Sequence, residues 1–124
     1  MMPPPPPVPR ANRTMLCASS PAPPQSSPSA AAFAPFWKKA EELGALVAIH
    51  PNGFTEGKRL SRFYFNNIIG NPFETTLALH YLIFDGVFER HPGLKVFAMH
   101  GGGYLGGYSG RIDHAWGARS DVNA

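Results

Sequence analysis

Two histidines, His50 and His100, each close an apolar run and each precede a turn. His50 ends the run Ala45-Leu-Val-Ala-Ile and is followed by Pro51-Asn-Gly53. His100 ends Leu94-Lys-Val-Phe-Ala-Met99 and is followed by Gly101-Gly-Gly103. A neutral imidazole is a common metal ligand and a ready acid or base near neutral pH. A histidine at a strand end can equally cap the strand or bond a backbone carbonyl, and spacing leaves both readings open. The three glycines allow a sharp turn and a close backbone approach to a ligand, or simply a flexible connection.

Other residues carry weaker signals. Arg111, within Ser109-Gly-Arg-Ile-Asp-His-Ala-Trp116, could clamp a carboxylate in bidentate fashion or pair with Asp113 or Glu89. His80, His91 and His114 lie in or beside helical stretches and read as structural. Phe63, Tyr64 and Phe65 read first as packing residues, with substrate stacking as the alternative. Two motif matches fail. His100-Gly-Gly-Gly103 matches an oxyanion-hole loop of lipases and esterases, but Gly107-Tyr-Ser-Gly-Arg111 misses the last glycine of the nucleophile elbow. Gly101-Gly-Gly-Tyr-Leu-Gly106 fits the dinucleotide fingerprint literally, with no following unit to supply a ribose-binding acid.

The elements that position these residues follow from pattern. Pro35 opens a short helix through Leu43, with Gly44 as its stop. A buried strand spans Ala45 to Ile49. A long connection, Pro51 to Asn71, carries Phe54, Phe63, Tyr64 and Phe65, and is expected to act as an active-site loop with a short helix near residues 59 to 68. Asn71-Pro-Phe-Glu74 reads as an N-cap, a first-turn proline and a capping-box acid. The helix it starts is expected to run through Phe88 and to stop at Arg90-His-Pro-Gly93. A second strand spans Leu94 to Met99, and a third helix is expected from about Tyr108 past Trp116. Strand, crossover helix, strand is a parallel βαβ unit, so both histidines emerge on one rim. In α/β proteins that rim, at the carboxyl ends of the strands, carries the chemistry.

Composition bounds the rest. Residues 1–35 hold the Pro3 to Pro7 run, further prolines, Ser and Ala, and no Asp or Glu. Such a segment buries too little apolar surface to offset its ordering entropy and is expected to be disordered. Residues 36–124 remain to make a core, about 90 of the 124. The formal charge of +3 includes Arg10 and Arg13 of the tail, and no basic stripe suggests nucleic acid. No apolar run has the length of a membrane span. The single cysteine, Cys17, excludes an internal disulfide and points to a reducing compartment. The expected location is cytoplasmic; a mitochondrial address through the acid-free tail is the alternative. Two strands and three helices leave sheet edges open and helices without partners, so the chain reads as a piece of something larger.

Four stretches carry a resemblance to a known family: Leu46-Val-Ala-Ile-His-Pro51, Ile69-Gly-Asn-Pro-Phe-Glu-Thr-Thr76, Ile83-Phe-Asp-Gly-Val-Phe-Glu-Arg-His-Pro-Gly-Leu-Lys-Val96, and His100-Gly-Gly-Gly-Tyr104 through Gly110-Arg-Ile-Asp-His114. They resemble the amidohydrolase-related family, in the branch typified by aminocarboxymuconate semialdehyde decarboxylase, from about Phe36 to Trp116. The resemblance implies an α/β fold, a fragment of a metal-dependent hydrolase-type (β/α)8 TIM barrel covering about strands five and six with their helices. It implies a divalent metal, usually zinc, at the C-terminal rim. His50 matches the metal-ligand histidine that ends strand five. His100 matches the acid/base histidine that ends strand six, Arg111 an arginine that reaches the substrate carboxylate across a dimer interface, and Tyr64 an aromatic residue lining the pocket.

The implied function is a carboxy-lyase, a non-oxidative decarboxylase of small aromatic or unsaturated carboxylic acids, working as a homodimer without nucleic acid or membrane. Hydrolysis on the same barrel is the alternative. The family's His-x-His metal motif of strand one and its strand-eight aspartate have no counterpart here. A barrel of this class takes about 250 residues, so the chain corresponds to roughly a third of one. A third expectation is therefore an incomplete, non-catalytic piece.

Overall fold

The computed structural model describes residues 13–18, 27–51 and 57–122. Three parallel strands form one sheet in the order β1-β2-β3: β1 (Arg13–Ala18), β2 (Leu46–Pro51) and β3 (Lys95–Ala98). Four α-helices accompany them: α1 (Ala34–Glu42), α2 (Asn71–Phe84), α3 (Val87–Arg90) and α4 (Leu105–Ala118).

β2 is the central strand, and its alternation sets the layers. Val47, Ile49 and Pro51 are buried, whereas Leu46, Ala48 and His50 are half-buried on the opposite face. The buried face meets α2, whose Thr75, Ala78, Leu79 and Leu82 recur at helical spacing and are also buried. Trp37 and Ala40 of α1 and Val87 of α3 complete this core. The Trp37 indole N–H donates to the Pro28 carbonyl at 2.8 Å, which satisfies the one polar atom of a ring only 1% exposed. α1 ends as expected at Leu43 and a left-handed Gly44 (φ 58°), where the amides of Leu43, Gly44 and Ala45 return to carbonyls of the last turn.

Five expectations change. The tail was expected to be disordered from residue 1 to 35, yet Arg13–Ala18 pairs along β2 from Leu46 to Pro51. The segment between Pro9 and Pro21 is the longest proline-free stretch of the tail. Its amides can all join a ladder, and the edge of β2 offers one. The Pro3 to Pro7 run and Arg10 lie outside the described residues, as does Phe54 of the long connection.

Asn71 does not cap α2. A π-helical turn, Asn66–Gly70, runs directly into the helix, and the Asn71 amide bonds the Asn66 carbonyl. Carbonyls of the preceding turn thus accept from donors that a capping side chain would otherwise satisfy, and Asn71 is buried in a helical conformation. Pro72 does occupy the first turn. The expected short helix near residues 59 to 68 is replaced by this turn and a 3-10 turn at Gly57–Leu60.

α2 stops at Phe84 rather than continuing through Phe88. Gly86 adopts a left-handed conformation (φ 66°, ψ 27°), which breaks the helix and lets α3 turn Val87 into the core at 1% exposure. Finally, α4 begins at Leu105, three residues earlier than expected. Much apolar surface stays open, including Phe97 (53% exposed) on the sheet and Tyr108 on α4. Such exposure is what strands and helices from part of a larger layered fold leave behind.

Candidate active site

β2 and β3 end on the same side because they run parallel, with Ile49 opposite Ala98. One further bond, from the Met99 amide to the Ile49 carbonyl at 3.1 Å, extends the ladder to the turn. His50 and His100 therefore meet, as their positions at the two strand ends suggested. Their ring centroids are 5.0 Å apart with the planes tilted by 48°.

His100 has an unusual backbone for a non-glycine residue, with φ 53°. It opens a short 3-10 turn, His100–Gly102, closed by bonds from Gly102 N–H to the Met99 carbonyl and from Gly103 N–H to the His100 carbonyl. The close approach that the glycines permit is made to α2. A side chain at Gly103 would overlap the Thr76 hydroxyl and the Pro72 carbonyl, whereas Gly101 and Gly102 face open space. The turn is thereby pinned to the first turn of α2, and His100 is held with it. The Thr76 hydroxyl donates to the Pro72 carbonyl and accepts the Tyr104 N–H, both at 2.8 Å.

The side chain of His100 is held by Thr75, whose hydroxyl lies 3.0 Å from Nδ1. Burial, and after it the neighbouring His50, pushes the His100 imidazole below the ordinary histidine range. Both influences favour the neutral imidazole, the form that can accept or pass on a proton.

The other two predicted site residues do not join this pair. Arg111 lies on α4 and lines a groove of about 410 Å³ between α2 and α4, with Thr76, His80, Phe84, Tyr104 and Tyr108 among its walls. Neither His50 nor His100 borders that groove. Among the described residues the Arg111 guanidinium has no carboxylate at ion-pair distance, so pairing with Asp113 or Glu89 is not what holds it. Tyr64 is 65% exposed in a left-handed conformation (φ 60°), and its carbonyl accepts the Asn67 and Ile68 amides that start the π-helical turn. Its neighbours Phe63 and Phe65 pack on each other, with the Arg62 guanidinium over the Phe63 ring. No hydrogen bond or ring contact joins Tyr64 to either imidazole among the described residues.

Two of the remaining histidines are structural. His80 Nδ1 donates to the Thr76 carbonyl at 2.7 Å and stacks on Phe84. His91 Nδ1 donates to Glu41 Oε2 at 2.9 Å. Sequence reasoning missed Thr75. The available signal was its place on the core-facing stripe with Ala78, Leu79 and Leu82, because a hydroxyl buried there needs a partner.

Among the described residues no three His, Cys, Asp or Glu side chains cluster to hold a metal ion. Tetrahedral zinc takes three or four protein ligands, so the described residues do not by themselves fit such a site. Nor is any described helix long and apolar enough to cross a membrane.

Parallel strands alternating with helices, with two imidazoles on the carboxyl rim, are consistent with a segment of a (β/α) barrel. The chain belongs to the Amidohydrolase family, whose sequence profile matches residues 10–121, so the match extends into the tail beyond the expected limit at Phe36. The 2-amino-3-carboxymuconate-6-semialdehyde decarboxylase of Dictyostelium discoideum is 42% identical over 90 residues, covering 73% of this chain and 25% of the relative. The protein of the same name from Caenorhabditis elegans is 31% identical over 85 residues, covering 68% of this chain and 21% of the relative. The crystal structure of Metarhizium anisopliae IDCase in apo form superposes with a TM-score of 0.69 at 22% identity, covering 76% of this chain and 26% of that one. The chain thus spans about a quarter of the length of the curated relatives it matches.

Proposed function

We propose that this chain supplies part of the active site of a metal-dependent carboxy-lyase, a non-oxidative decarboxylase of small aromatic or unsaturated carboxylic acids. The observation that carries the reading is the His50–His100 pair, 5.0 Å apart at the ends of two parallel strands. The names of the relatives, decarboxylases of a carboxylated muconate semialdehyde, support the reaction type.

In the reaction the bond from the carboxyl carbon to the rest of the substrate breaks, carbon dioxide leaves, and a proton replaces it on the carbon that keeps the electron pair. His100 handles that proton. Arg111 binds a substrate carboxylate with its planar fork. By the family resemblance Arg111 serves the site of a second copy in a homodimer, and the groove that holds it is separate from the histidine pair. Tyr64, exposed on its loop, lines the pocket of the assembled enzyme. His50 would be one ligand of a divalent metal, zinc by the family's habit, whose other ligands have no counterpart in this sequence. A cytoplasmic setting suits a chain with one cysteine.

A second reading is favoured by the absence of a ligand cluster among the described residues: the chain is an incomplete piece that holds no metal alone. Purified full-length protein supplied with zinc and offered hydroxybenzoate- and muconate-type acids tests the first reading through carbon dioxide release, and absence of release counts against it. Elemental analysis tests the second. Stoichiometric, tightly held zinc in this chain alone would overturn it.

A further inference from the structure

We infer that Thr75 is a positioning residue that fixes His100 as the Nε2–H tautomer, so that His100 presents a proton donor and not a ligand lone pair. Thr75 is fully buried at 0% exposure, and its hydroxyl has one hydrogen-bond partner among the described residues, Nδ1 of His100 at 3.0 Å. Two arrangements satisfy that distance. The hydroxyl donates to a bare Nδ1, or it accepts from Nδ1–H.

The second arrangement leaves the hydroxyl proton in a buried place without an acceptor, which is unfavourable. Thr76, the next residue, shows the contrast: its hydroxyl accepts the Tyr104 amide and places its own proton on the Pro72 carbonyl. Thr75 has no such carbonyl among the described residues. Its proton therefore goes to Nδ1, and the ring proton of the neutral imidazole sits on Nε2. With Nδ1 occupied and Nε2 protonated, His100 offers no free lone pair. The adjacent His50 has no hydrogen bond of this kind among the described residues. The two imidazoles are thus distinguished by one threonine, and the catalytic use of the His100 donor rests on the lyase reading above.

The test is a two-bond 1H–15N correlation spectrum of the full chain with 15N-labelled histidine, at mildly alkaline pH and without substrate. The expected spectrum has His100 protonated at Nε2, with Nδ1 at the position of a hydrogen-bonded acceptor. T75S retains that pattern, and T75V moves Nδ1 to the position of a free acceptor or mixes the tautomers. An Nδ1–H tautomer in the unmodified chain overturns the inference. So does a T75V spectrum identical to the unmodified one, or five histidines all at solvent-averaged positions. Should T75V fail to fold, the unmodified and T75S spectra still decide. Where carbon dioxide release is measurable, T75V lowers kcat by about 10- to 100-fold with KM unchanged and T75S restores it. A change in KM alone counts against the role. Absence of release with the expected spectrum removes the lyase reading and leaves the tautomer assignment standing.

Discussion

Gly103 and Thr76 approach so closely that no Cβ fits between them: one built on Gly103 would overlap the Thr76 hydroxyl oxygen and the Pro72 carbonyl. This contact fastens the turn that carries His100 to the start of α2. It separates the three glycines, all with positive φ, into one position that needs glycine for space and two that need it for conformation.

Alanine at Gly101 or Gly102 therefore meets only the left-handed backbone penalty, about 1–2 kcal/mol. G103A adds a collision with helix backbone and is expected to destabilise by more than either. Urea unfolding midpoints of the three variants check the ranking. Equal losses at all three positions would show that the contact with α2 is not needed to hold the turn.

A second tie joins distant parts of the chain. Glu41 of α1 accepts from His91 Nδ1 at 2.9 Å and from the Gly93 amide at 2.8 Å, which anchors the connection leading into β3. The His91 hydrogen bond, then the Gly93 amide, hold the Glu41 carboxyl below its ordinary range. A carboxylate favoured in the folded state contributes stability above its unfolded value of about 4.3 and loses it as pH falls through the lowered folded value. Stability should thus decline on acidification in that window, and E41Q should flatten the decline while leaving the behaviour near neutral pH parallel. Thermal melts across the acid range measure this, and an unchanged acid slope in E41Q would assign the decline to other carboxylates.

Much of this arrangement was legible in the residues. The apolar runs at 45–49 and 94–99 have the length and composition of strands and contain most of β2 and all of β3, and parallel pairing then brings His50 to His100. Three features were not. β1 depends on an edge supplied by β2, a tertiary partner that its proline-rich surroundings conceal. Asn71 has every property of a cap, yet the helical turn before it removes the need for one. Thr75 meets a residue 25 positions away, a relationship that no local pattern encodes.

The core and the open sheet face should respond to truncation by very different amounts. Leu82 is fully buried against β2, so L82A is expected to cost about 2–5 kcal/mol through lost burial and a residual cavity. Phe97 is of similar hydrophobic character but 53% exposed on β3, and F97A should change stability by only about 0.5 kcal/mol. Denaturant titration of both variants tests the contrast. A large loss in F97A would mean that the sheet face is covered in solution, as it would be by further strands or by a second chain.

The separation of Arg111 from the histidine pair yields a sharper test of assembly. In a homodimer whose arginine reaches the neighbouring site, H100Q and R111A each inactivate the assembly, because each site lacks either its proton donor or its carboxylate clamp. Random mixing of the two variants changes this. A mixed dimer contains one site built from an intact His100 and an intact Arg111, and another that lacks both. With half of the dimers mixed and one of their two sites intact, activity should return to about a quarter of that of the unmodified protein. Variants mixed after dissociation and reassociation, assayed by carbon dioxide release, make the measurement. Recovery to that level requires Arg111 to act across the interface. Mixing without recovery, when each variant still dimerises, would instead place Arg111 in service of its own protomer and require the α2–α4 groove to open toward His100.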